Sequence, residues 1–250
     1  KSRIDAGAKK VFISYFDYRS VDGDKFTDPF FRPLQAHLSK IGTPFAVVNI
    51  IMYGYDIKKG LRYVNDIKRT ENSDIITVFN LIPFLGIFSS FIKALFSRPT
   101  LKHMVLFKGH NITDFVRENL FNEFYSGSIQ YTLERMYVSK LLKYSSIETI
   151  YYPFENFAWE KSLCMEKDRL RSDIKLVGFQ HTSFSLKLQH HFPSIYEKEL
   201  PIFPTKIITV GKISKDVLEK YGFFPDGLLQ IGCALRHTYI FDILNCYQKK

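Results

Sequence analysis

The chain has 250 residues, 46% hydrophobic and 24% charged, enough for a substantial core in one large domain or one and a half. Its 24 Phe and 15 Tyr argue against a disordered chain, and three cysteines (Cys164, Cys233, Cys246) without a CxxC pair fit the reduced thiols of a cytoplasmic protein better than a disulfide framework. The formal net charge of +10 points to an anionic partner: nucleic acid, nucleotide phosphate or an anionic lipid headgroup would each satisfy it, and charge alone does not choose.

Along the chain, short β-rich runs alternate with helical patterns. The spacing predicts strands over 11–16, 43–52, 75–82, 104–109, 149–154, 174–179, 205–211 and 228–233. Several are apolar on both alternating faces, as strands covered by helices on both sides should be. Helices are predicted between them. Residues 28–41 carry Phe31, Leu34, Leu38 and Ile41 at helical spacing, 112–124 carry Ile112, Phe115, Val116, Leu120 and Phe124, and 129–142 carry Ile129, Leu133, Met136, Tyr137, Leu141 and Leu142. Another helix is predicted over 213–221. Asp114 and Asp216 fall early in their helices, where a carboxylate meets the positive end of the dipole. This alternation implies an α/β fold with a Rossmann-like open parallel sheet flanked by helices.

From Ile75 to Ile92 the sequence carries no charge, close to the length of a bilayer span of about 20 residues. Asn80, Pro83, Gly86, Ser89 and Ser90 interrupt it, and the Pro–Gly region suits a strand-to-helix turn. A transmembrane helix, a helix at the membrane surface and a core helix all stay open, the surface option supported by Lys93, Arg98, Lys102 and Lys108 beside it. The two prolines of 201–206 read as a linker. They divide the chain into a first domain, 1–200, and the opening of a second α/β unit, 201–250, unless that piece packs back onto the first sheet. The chain opens at Lys1 rather than Met, which reads as a fragment or a processed chain.

In an open parallel sheet, ligands bind outside the carboxyl ends of the strands. The strands over 11–16, 149–154, 174–179 and 205–211 deliver Asp17, Glu155-Asn156, Gln180-His181 and Gly211-Lys212 to that edge. An early-helix role for Glu155 and a structural role for His181 compete with catalysis. Asp22-Gly23-Asp24 reads as a solvated turn, His190-His191 lacks further ligands at metal spacing, and no GxGxxG or GxxxxGK[ST] loop occurs. No RNP-like pattern or dense basic stripe supports nucleic-acid binding.

The stretches 151-YYPFENFAWEKSL-163 and 177-VGFQHTSF-184 resemble bacterial surface-polysaccharide biosynthesis proteins of GT-B glycosyltransferase architecture. The resemblance extends to 28-DPFFRPLQAHLSKIG-42. It also takes in 207-IITVGKISKDVLEKYGFFPDGLLQIGCALRH-237, which is similar to the beginning of a second GT-B domain. It implies two Rossmann-like domains facing across a cleft, the first on the acceptor side and the second, truncated here, binding most of a nucleotide-sugar donor. A similar Q-H turn occurs in polymerases of teichoic-acid-like chains, where the histidine is regarded as a base. On this reading His181 or Glu155 is the catalytic base. Asp17, Asn156, Trp159, Glu160 and Gln180 meet the acceptor, while Gly211, Lys212 and Arg236 meet the donor phosphate. The substrates are a nucleotide sugar and a glycan or lipid-linked glycan, with no metal or other cofactor and no nucleic acid. The expected location is the cytoplasm, at the inner face of the membrane if 84–96 touches lipid. A non-catalytic α/β module that recruits glycan-assembly partners, and a sugar-nucleotide epimerase on the same scaffold, are the competing readings.

Overall fold

The structure, a computed structural model, describes residues 4, 7–16, 21–22, 25–51, 62, 75–82, 84–96, 100–181 and 185–235. Strand β1 (Lys10–Phe16) is apolar on both faces and buried almost throughout, so it belongs at the centre of a sheet covered on both sides. It pairs in parallel with β4 (Phe45–Ile51) on one side and with β8 (Thr149–Pro153) on the other. Beyond β4 lies β5 (Ile75–Thr77); beyond β8 come β9 (Lys175–Phe179), β10 (Lys206–Thr209) and β11 (Leu229–Ile231). The order β11-β10-β9-β8-β1-β4-β5 makes one seven-stranded, all-parallel open sheet. Strand order reverses between β1 and β8, where an open α/β sheet leaves a crevice at its carboxyl edge.

Two antiparallel ribbons stand apart from the sheet, β2 (Val21–Asp22) with β3 (Lys25–Phe26) and β6 (Leu106–Phe107) with β7 (His110–Asn111). Helix α1 (Arg32–Lys40) covers one face of the sheet, where Phe12, Phe31 and Leu38 form a small aromatic core. On the other face, Tyr137, Val138, Leu141 and Leu142 at the end of α4 (Thr113–Leu142) pack with Leu163 and Cys164 of α5 (Ala158–Leu170) and Leu218 of α6 (Lys212–Tyr221) in the main core. Two shorter helices, α2 (Val78–Leu81) and α3 (Phe84–Phe96), follow β5, and α3 packs against α4.

Four predicted features come out differently. The strand predicted over 75–82 stops at Thr77, because both the backbone N–H and the hydroxyl of Thr77 donate to Asn80 Oδ1 (3.0 and 2.8 Å) and turn the chain into α2. The run 104–109 forms the β6–β7 hairpin instead of a sheet strand: Lys108 (φ 49°) and Gly109 (φ 81°) are both left-handed, as a tight two-residue turn requires. The helices predicted over 112–124 and 129–142 are one 30-residue helix, α4, about 45 Å long. Gly127 falls inside it, a cost of about 1 kcal/mol that packing along the helix overrides.

The fourth departure concerns domains. As far as 201–250 is described, it does not open a second sheet: β10 hydrogen-bonds to β9, and β11 to β10. Ile207, Leu218, Phe224, Leu228 and Leu229 enter the same core as Val11 and Ile150. The alternative, that this piece packs back onto the first sheet, is what the strand pairing gives. Residues 236–250, Arg236 included, lie outside the described residues, as does Asp17.

Candidate functional site

The strands that deliver the candidate residues, β1, β8, β9 and β10, are neighbours in that order, so their carboxyl ends share one edge. Register sets the spacing. Pro153 of β8 stands opposite Phe179 of β9, which places the residues just beyond, Glu155 and His181, on adjacent strand exits. Their side chains meet: His181 Nε2 lies 3.3 Å from Glu155 Oε1. The His181 side chain is 8% exposed and that of Glu155 19%, so the carboxylate is the more accessible member. The imidazole and the ring of Phe30 stand perpendicular, 4.6 Å between centroids.

Phe30 is held by its own turn. Asp28, buried, accepts from the Phe30 N–H (2.8 Å), the Phe31 N–H (3.1 Å), the Ser14 hydroxyl (2.9 Å) and Gln35 Nε2 (2.6 Å). Burial raises the Asp28 carboxyl, against the pull of these four donors. The cluster ties β1 to the start of α1 and fixes the wall against which His181 rests. Gly178 helps from below: a Cβ there would lie 3.0 Å from Phe154 Cβ, so glycine lets the end of β8 approach β9 closely.

Glu160, Asn156 and Trp159, expected to meet an acceptor, each have a structural partner. The Glu160 carboxylate, three residues into α5 from its N-cap, accepts from the backbone N–H groups of Glu155 (3.1 Å), Asn156 (3.0 Å) and Phe157 (3.2 Å). This is the reciprocal half of a capping box, and it shapes the loop that presents Glu155. Burial pushes the Glu160 carboxyl up to about 8, opposed by those same donors. Asn156 adopts a left-handed backbone (φ 62°) and donates from Nδ2 to the His190 carbonyl at 2.6 Å, clamping the loop that follows β9. Trp159 donates from Nε1 to the Tyr15 hydroxyl at 3.2 Å, joining α5 to the end of β1.

Gln180 staples β9 to β10: its N–H donates to the Ile208 carbonyl, and its Oε1 accepts from the Val210 N–H at 3.1 Å. Gly211 is the N-cap of α6, and the first residue of that helix, Lys212, is solvent-exposed and paired with Asp216 at 2.6 Å. The Lys212 ammonium is therefore engaged one helical turn along its own helix. His190 and His191 lie in a 3-10 turn, where the His190 ring stacks on Phe157, and burial with the neighbouring His190 charge pushes His191 down to about 4. Among the described residues, no cluster of three or more His, Cys, Asp or Glu could hold a metal ion.

A narrow cleft opens beside His181, lined by Phe30, Phe179, Gln180, Val210 and Cys233. Sequence reasoning passed over Phe30 and Cys233. The signal for Phe30 lay in 28-DPFF-31, where an aspartate precedes an aromatic pair at a helix start. Cys233 had no signal beyond its place just after a strand. No family model matches the chain, and no curated protein matches it. Among solved structures, the crystal structure of O-ureido-L-serine synthase is similar over 97% of this chain and 81% of its own, with 10% identity and a TM-score of 0.23. At that level the likeness carries no argument.

Proposed function

We propose that this chain is the acceptor-side part of a GT-B-type glycosyltransferase that transfers sugar from a nucleotide-sugar donor to a surface-polysaccharide acceptor, with His181 and Glu155 acting as one base. The observation that carries the reading is their 3.3 Å contact at the carboxyl edge of β8 and β9, next to the point where strand order reverses. Glycosyl transfer requires the acceptor hydroxyl to lose its proton as its oxygen attacks the anomeric carbon. An imidazole and a carboxylate in contact can share that proton, the carboxylate stabilising the imidazolium that forms. Phe30, Asp28 and the Glu160-capped loop hold the pair in place, so little reorganisation is needed during reaction. The leaving phosphate would meet the backbone N–H groups at the start of α6, at Gly211 and Lys212.

The test uses the protein expressed from its full reading frame, incubated with UDP-, GDP-, dTDP- and CMP-sugars and glycan acceptor, with release of free nucleotide as the readout. His181→Ala and Glu155→Gln are each expected to slow turnover by about 10²–10⁴-fold with the melting transition retained, and the double variant to be no slower than the worse single one. Near-normal turnover in both single variants would remove the pair from catalysis.

A further inference from the structure

We propose that α3, the β6–β7 hairpin and the first half of α4 form an arm that docks on the surface of an anionic lipid bilayer. The inference stands apart from the glycosyltransferase reading and survives if that reading fails.

Helix α3 turns large apolar side chains to the outside. A surface helix normally turns charged and polar residues to water and its apolar stripe to the core. In α3 the exposed side carries Leu85 (79% exposed), Phe88 (66%), Phe91 (48%) and Phe96 (81%), while Gly86 is buried. The hairpin carries a second exposed apolar pair, Leu106 (56%) and Phe107 (60%), beside the left-handed Lys108–Gly109 turn. It is fastened to α4: the Ile112 N–H donates to the Val105 carbonyl, and the Val105 N–H donates to the Thr113 hydroxyl. The first turns of α4 are largely exposed, whereas its last turns are buried against the sheet. Large exposed apolar side chains concentrated on one 13-residue helix and on a hairpin tip are a mark of a surface that meets a partner.

Charge selects the occupant. From Ile75 to Thr113 the sequence contains Lys93, Arg98, Lys102 and Lys108 and no acidic residue. Lys102 and Lys108 are exposed, and Lys108 Nζ lies 5.6 Å from the centroid of the Phe107 ring. An aromatic that enters the headgroup region beside a lysine whose ammonium reaches back to the phosphates is the arrangement an anionic interface favours. The first carboxylate beyond, Asp114, is paired with Arg117 at 2.7 Å; Glu118 and Glu123 lie further along α4. Helix α3, with 13 residues, is about 20 Å long, and no helix among the described residues is long and apolar enough to cross a membrane. The arm therefore lies along the surface.

The test is flotation of the full chain with vesicles of phosphatidylcholine alone or containing roughly one-third phosphatidylglycerol, at low and high salt. The protein is expected to float with the anionic vesicles at low salt, at least about tenfold more than with the neutral ones, and to be released by high salt. Phe88→Ser with Phe96→Ser, and separately Lys102→Glu with Lys108→Glu, should each reduce the floated fraction about tenfold or more, with the melting transition unchanged because all four side chains are exposed. Three outcomes would overturn the proposal: no flotation of the unmodified protein at low salt, equal flotation on both lipids, or flotation indifferent to the Phe pair. A lipid-free dimer that dissociates in the Phe88→Ser, Phe96→Ser variant, with no flotation, would assign the face to a second copy of the chain instead.

Discussion

At the scale of single residues, the candidate site is built mostly by side chains that never face its opening. Glu160 is the example. Its carboxylate gathers three backbone N–H groups at the start of α5, and those N–H groups belong to the loop that carries Glu155. Replacing it with alanine leaves buried donors without an acceptor, at about 1–3 kcal/mol for the first and less for each group that water can reach. Glu160→Ala is therefore expected to lower unfolding stability by about 3 kcal/mol, read as a shifted urea midpoint at constant slope. It should also slow any His181-dependent turnover, because the Glu155 loop loses its anchor. A variant as stable as the parent would mean that the cap contributes nothing and that the loop is fixed from elsewhere.

Among the elements, the joint between α4 and α5 makes a prediction about pH. Glu166 of α5 accepts from Arg135 Nε (2.7 Å) and the Ser139 hydroxyl (2.8 Å) of α4, and also from Arg169. Burial alone would raise its carboxyl, but the hydrogen bonds from Arg169, Ser139 and Arg135 and the Arg135 charge hold it below the usual 4.5. A carboxyl lowered in the folded state contributes stability that is present above its unfolded value and lost as pH falls through the folded one. The arginines are largely solvent-exposed, so Glu166→Gln should cost only about 1–2 kcal/mol at neutral pH. The variant should also show a weaker loss of stability below pH 4.5 than the parent, measured by urea titration across an acid series. The same joint shows why α5 was the helix that periodicity did not reveal. Two of its buried positions, 160 and 166, are glutamates, and they break the apolar stripe that a helical pattern relies on. The central strands were legible because β1, β8 and β9 are apolar runs bounded by polar loops. The β6–β7 run was not, because Met104, Leu106 and Phe107 are exposed, and an apolar pattern does not distinguish exposure from burial. The Glu155–His181 pair was legible as two strand ends. Its supports, Asp28 through Phe30 and Glu160 through the loop, rest on local hydrogen bonds two to five residues apart; what no pattern showed is that these two turns, far apart in the chain, meet at the same pair.

For the whole molecule, the single sheet decides what can be cut away. Had Pro201 and Pro204 marked a domain boundary, a chain ending at Leu200 would keep its core. The strand pairing argues otherwise. Leu176 donates its N–H to the Thr205 hydroxyl, the Thr205 N–H donates to the Leu176 carbonyl, and β10 then occupies the β9 edge. Gln180, at the candidate site, spends both its backbone N–H and its side-chain oxygen on β10 and its exit. Ile207, Leu218, Phe224, Leu228 and Leu229 enter the main core from beyond position 200. At about 1.5–3 kcal/mol for each buried side chain, their loss is of order 10 kcal/mol. The whole stability of a domain is about 5–15 kcal/mol. Truncation would also bare β9 as a long unprotected edge, a template for association. The piece 1–200 is therefore expected to lack a cooperative melting transition and the near-ultraviolet circular dichroism of packed aromatics, and to associate, whereas the full chain melts cooperatively. Slow amide exchange in β8 and β9 of an isolated 1–200 chain would show that the sheet closes without β10, and that 201 is a boundary after all.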